Sequence, residues 1–133
     1  MKLSDEPRIQ LPNDVDAECV EICNLLNRLP GTETDESCQG HGKHPFWVFF
    51  SCTDIDTISR LGRAVFNTYS DGKWEIVVDS TDTDPRGRFW LRSTVISPSK
   101  ESLQGLIENI EFWFQDRFDE HFKKDRKRPS DSY

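Results

Sequence analysis

The run Phe46-Trp47-Val48-Phe49-Phe50-Ser51-Cys52 constrains the fold of this chain more than any other segment. Aromatic and β-branched residues at successive positions read as a strand. Apolar side chains on both of its faces place that strand in the centre of a sheet rather than at its rim. The period of two sets Phe46, Val48 and Phe50 on one face and Trp47 and Phe49 on the other.

The remaining segments arrange themselves around this strand. Thr32 to Cys38 is polar, with Thr32, Thr34 and Glu36 alternating against Glu33 and Asp35, and reads as a weak edge strand. Trp74–Asp79 and Phe89–Ile96 are two further strands, joined as a hairpin by the polar loop Ser80–Gly87. Asn13 is the expected cap of a first helix, with Asp16 in its first turn. Val15, Cys19, Ile22, Leu26 and Leu29 form its apolar stripe, and Pro30-Gly31 ends it. Thr53 caps a second helix whose stripe is Ile58, Leu61, Val65 and Tyr69, before a turn at Asp71-Gly72. Pro98 and Ser99 open a third, striped by Leu103, Ile107, Ile110, Phe114 and Phe118.

The order is α-β-β-α-β-β-α. Short loops favour antiparallel neighbours, and three one-sided helices cover one sheet face. The expected fold is a two-layer α+β domain with a mainly antiparallel four-stranded sheet. It spans residues 13–122, after an extended arm at 1–12 and before a basic, disordered tail at 123–133.

With 133 residues, such a domain buries a core without disulfide staples. The formal charge of −7 opposes nonspecific nucleic-acid binding by the body of the domain. The only basic run is Lys123 to Arg128, so a nucleic-acid partner is neither required nor removed. The N-terminus lacks a signal-peptide pattern, and Phe46–Phe50 is far short of the ~20 apolar residues of a membrane span. The reading is a cytoplasmic protein with reduced thiols, in which Cys19 and Cys23 are small core hydrophobes.

Chemistry concentrates at Ser37-Cys38-Gln39-Gly40-His41-Gly42-Lys43-His44. Gly40 and Gly42 let backbone N–H groups approach a ligand, Ser37 and Lys43 supply donors, and His41 and His44 add imidazoles that titrate near neutral pH. The candidate ligand-binding residues are therefore Ser37, Cys38, Gly40, His41, Gly42, Lys43 and His44. Cys38-x-x-His41-x-x-His44 has zinc-ligand chemistry, but a closed site needs a fourth ligand. Cys52 falls at the far end of the implied hairpin, roughly 20 Å from Cys38 at ~3.3 Å per residue, so no metal ligand is assigned. A Cys38–His41 nucleophile pair lacks a third orienting residue. Asp79 to Asp84 lacks the Gly and distal Glu of an EF-hand loop and reads as a solvated hairpin loop, with Arg86, Arg88 and Arg92 as surface charges beside it.

Leu26-Asn27, Thr34 and Ser37-Cys38-Gln39-Gly40 resemble the front of the tRNA wybutosine-synthesizing methyltransferase family. Members of that family carry a helix ending in Leu-Asn, then a Thr, then Ser-Cys-Ser-Gly-Arg leading into a strand. Ser37, Cys38 and Gly40 match that motif, while Gln39 and His41 stand at its second Ser and its Arg. The resemblance implies a related scaffold with a loop in the same place, and S-adenosylmethionine as a cofactor by resemblance only.

The expected function is a ligand- or nucleotide-binding domain taking a small anionic molecule at this loop. A protein-interaction module, including a homo-oligomer, using the Phe112, Trp113 and Phe118 side of the last helix with a purely structural loop is the alternative. A small Cys/His enzyme is the third.

Overall fold

The computed structural model describes residues 3–66, 71–79 and 86–115. A 3-10 turn at Ala17–Cys19 leads into α1 (Val20–Leu26). Next come β1 (Thr32–Cys38), β2 (Pro45–Cys52), α2 (Ile55–Phe66), β3 (Trp74–Asp79), β4 (Gly87–Ile96) and α3 (Lys100–Trp113). The strands form one antiparallel sheet in the order β1-β2-β4-β3, which puts the apolar β2 inside as its composition demands.

Alternation along β2 sorts its side chains as expected. Phe46, Val48 and Phe50 are buried, beside Leu91 of β4, in one cluster with Ile22 and Leu26 of α1, Leu61 and Val65 of α2, and Leu106 and Ile110 of α3. Phe46 meets Trp74 edge to face at 5.5 Å, and Phe50 stacks on Phe89 at 5.5 Å. The one polar atom of the Trp74 ring is satisfied, since its indole N–H donates to Ser102 Oγ at 2.9 Å.

Trp47 and Phe49 lie on the opposite face, where they are half-buried. Both pack on Trp90, at 5.1 and 4.5 Å between ring centroids, and the Arg88 guanidinium lies 5.6 Å from the Phe49 ring. These aromatic residues shelter one another, so a strand apolar on both faces is compatible with helices on only one.

Three local readings are corrected. Asn13 sits in a turn and does not cap; the 3-10 turn begins after Asp16, whose carboxylate makes no capping bond and is engaged elsewhere. The second helix is capped by Asp54, not Thr53: Asp54 Oδ1 accepts from the N–H groups of Asp56 and Thr57 at 3.0 and 3.1 Å. Thr53 Oγ1 instead reaches the Gly31 carbonyl at 3.5 Å. In β1 a bulge at Asp35 interrupts the pairing between Thr34 and Glu36. Thr32 and Thr34 share the buried side, but Glu36, which the alternation groups with them, is exposed, and past the bulge Ser37 pairs with the inward Val48 and Cys38 with the outward Trp47.

The third helix starts as read, with Ser99 Oγ accepting from the Ser102 N–H at 3.0 Å. The arm is tied to the end of α1: the Ser4 N–H donates to the Arg28 carbonyl at 3.0 Å, and Arg28 Nε donates to the Ser4 carbonyl at 2.9 Å. Tyr69, Phe118, the Ser80–Pro85 part of the hairpin loop and the tail at 123–133 lie outside the described residues. Among the described residues, no helix is long and apolar enough to cross a membrane.

Candidate functional site

Six residues, 39–44, connect β1 to β2. Gly40, His41 and Gly42 have φ of 91, 49 and 75°, three consecutive residues in the left-handed region. The turn closes through Gly40, whose carbonyl accepts from the N–H groups of Lys43 and His44 at 2.9 and 3.1 Å. Gly40 admits no side chain, because a Cβ there would lie 2.1 Å from the His44 carbonyl oxygen. At Gly42 the nearest atom to such a Cβ would be Ser97 Oγ, 4.0 Å away.

This turn brings Cys38 and His41 together with a residue from far up the chain. The Gly40 N–H donates to Cys38 Sγ at 3.3 Å. The Gln39 N–H donates to Asp16 Oδ2 at 2.9 Å, and the same oxygen lies 3.4 Å from His41 Nε2. One ligand atom from each of Asp16, Cys38 and His41 lies within 4.8 Å of the other two. Asp16 and Cys38 are partly buried, whereas the His41 side chain is 60% exposed. Asp16 was invisible as a site residue in the sequence, where it looked like an ordinary first-turn acid.

Gln39, His41 and Gly42 also form one wall of a cleft of about 660 Å³. Ser97, Ser99 and Lys100, at the turn into α3, form a second wall, and Glu18 and Glu21 a third. Lys43 and His44 are exposed and are not among its lining residues. Ser37 pairs with the inward Val48, and its hydroxyl lowers the pKa of the Cys19 and Cys23 thiols against their burial.

The other cysteines have structural surroundings. Cys52 pairs with Thr32 at the far end of the hairpin and accepts from its hydroxyl at 3.4 Å, well away from Cys38. All four thiols are free. Cys19 and Cys23 are fully buried, as expected of small core hydrophobes. Burial pushes the Cys19 thiol up to about 12, the neighbouring Cys23, Asp16 and Cys38 adding to the effect and the Ser37 bond opposing it. Burial raises Cys23 as well.

A thiol whose folded pKa is raised keeps its proton after the unfolded chain has lost it. Its contribution is complete below the unfolded value near 9 and disappears as pH rises towards 12. Urea unfolding of the reduced protein should therefore show stability falling above pH 9, by up to about 1.4 kcal/mol per pH unit for each such thiol. Cys19→Ala should flatten that alkaline slope, and an unchanged slope would contradict the assignment.

Of the charges beside the hairpin loop, Arg88 pairs with Asp35 at 3.2 Å and Arg92 with Glu75 at 2.6 Å. Comparison with family models, curated proteins and solved structures finds no match for this chain.

Proposed function

We propose that this protein is a small-ligand-binding domain that takes an anionic ligand or a nucleotide between the Ser37–His44 loop and the start of α3. The observation that carries the reading is the 660 Å³ cleft, walled on one side by the left-handed turn at Gly40–Gly42 and on the other by Ser99 and Lys100. Lys100, His41 and the N–H groups at the start of a 14-residue helix favour negative charge there. Glu18 and Glu21, which also line the cleft, favour a ligand that also carries donors, such as a ribose hydroxyl or an ammonium group. A mononucleotide meets both demands, and so does S-adenosylmethionine, with its carboxylate and ammonium. The resemblance to the wybutosine-synthesizing methyltransferases makes the latter the first probe.

Calorimetric titration with S-adenosylmethionine, AMP and inorganic phosphate tests this. Saturable 1:1 binding of at least one is expected, weakened at least about tenfold by Lys100→Ala and by His41→Ala, the scale of one lost charge-assisted hydrogen bond. Equal affinity in the wild type and both variants would move the site elsewhere. No binding of any probe would favour the interaction module, whose Phe112 on α3 is 52% exposed.

A further inference from the structure

We propose that Asp16, Cys38 and His41 form an open, three-ligand binding site for a divalent transition-metal ion, zinc by the chemistry of its donors. Thiolate, imidazole and carboxylate are the three side-chain donors that zinc takes, and here one of each converges. Two anionic ligands and one neutral imidazole balance the charge of a dication.

The spacing fits as well. Tetrahedral bonds of about 2.0 Å to oxygen and about 2.05 Å to nitrogen put those two atoms about 3.3 Å apart, and Asp16 Oδ2 lies 3.4 Å from His41 Nε2. Cys38 Sγ, within 4.8 Å of both, completes the triangle after a side-chain shift of about an ångström, since a tetrahedral zinc needs roughly 3.5 Å from sulfur to nitrogen.

Three features of the backbone prepare these donors. The first is that each anionic ligand already receives a backbone N–H, Asp16 from Gln39 and Cys38 from Gly40, the outer-shell support that orients metal ligands. The second is strain. His41 is a non-glycine residue at φ 49°, held there between two left-handed glycines, and that conformation brings its imidazole back to Asp16. The bulge at Asp35 contributes too, because it reverses the alternation of β1 and so sets Cys38 out of the core.

Binding releases the thiol proton: Cys38–SH and Zn²⁺ give a Cys38–S–Zn bond, and the proton passes to buffer. Three protein ligands leave the fourth position to water or to a molecule in the adjoining cleft, which shares His41 with the cluster and is also lined by Gln39, the backbone donor to Asp16.

The test uses the reduced, metal-depleted chain and metal alone, so its outcome is independent of the nucleotide titrations. Cobalt(II) should bind once per chain with a sulfur-to-cobalt charge-transfer band, and zinc should displace it. Cys38→Ser, Asp16→Asn and His41→Ala should each weaken binding at least about tenfold. The serine is nearly isosteric, and the asparagine keeps an oxygen for the Gln39 N–H. Cys38 is the one described cysteine that is not buried, so iodoacetamide labelling of the native protein reads it directly. Zinc should slow that labelling severalfold. Binding without the sulfur band, affinity indifferent to the three substitutions, or a labelling rate that zinc does not change would each overturn the assignment, the last without needing any variant to fold.

Discussion

Phe50→Ala is expected to destabilise the fold by about 3–5 kcal/mol, and Phe49→Ala, one residue away, by only about 1–2 kcal/mol. The two side chains are chemically identical and belong to the same central strand, so the difference comes from the face each occupies. Phe50 is fully buried against Phe89 and the helices. Its removal loses the transfer energy of the ring and leaves a cavity that a close-packed core fills poorly. Phe49 is partly exposed on the other face, and its removal costs mainly the stack on Trp90 and the contact with Arg88. Against a total stability of roughly 5–15 kcal/mol for a typical domain, the first loss is severe and the second tolerable. Urea denaturation of both variants beside the wild type measures it. Equal losses, or the reverse order, would mean that β2 presents its other face to the helices.

The division of β2 into two faces was legible in the sequence because it depends on period alone, whereas which face meets the helices was not, since both are apolar. Antiparallel pairing was legible from the short loops, and the start of the third helix at Pro98 and Ser99 from local sequence, the cap bond of Ser99 being added by the structure. The misses have a common cause in tertiary competition. Thr53 and Asp54 are both cap-forming types in succession, and in the fold the Thr53 hydroxyl turns to the Gly31 carbonyl while Asp54 takes the helix N–H groups. Asp16 would suit a helix start, yet its carboxylate is drawn to the Gln39 N–H and to His41, 23 and 25 positions on. Nothing in local spacing signals that convergence. The bulge at Asp35 was equally hidden, and it exchanges the sides of neighbours: Ser37 comes to pair with the inward Val48, and Cys38 with the outward Trp47.

The family resemblance can be weighed in the same terms. Asn27 is fully buried, its side-chain amide donates to Thr34 Oγ1 at 3.0 Å, and its oxygen accepts from the Thr34 N–H at 2.8 Å. The Leu-Asn and Thr that carry the resemblance are thus a brace between α1 and β1, a role in folding. Only Cys38 and Gly40 of that comparison belong to the site itself.

Gly40→Ala should cost about 3 kcal/mol or more, and Gly42→Ala about 1 kcal/mol, although the two glycines flank the same histidine. Both have positive φ, so both substitutions incur the left-handed penalty of an L-residue. Only at Gly40 does the new methyl meet backbone, at 2.1 Å from the His44 carbonyl oxygen, and that carbonyl belongs to the residue that leads into β2. The turn must then open, which withdraws the Gly40 N–H from Cys38 Sγ and frees His41 from its left-handed conformation. Two readouts should therefore move together in Gly40→Ala: the urea midpoint falls, and cobalt affinity drops at least about tenfold as the ligand triangle spreads. Gly42→Ala should keep most of both, since its methyl meets nothing closer than Ser97 Oγ at 4.0 Å. If the two variants behave alike, the turn relaxes without strain, and Gly40 is not what holds Cys38 and His41 in register.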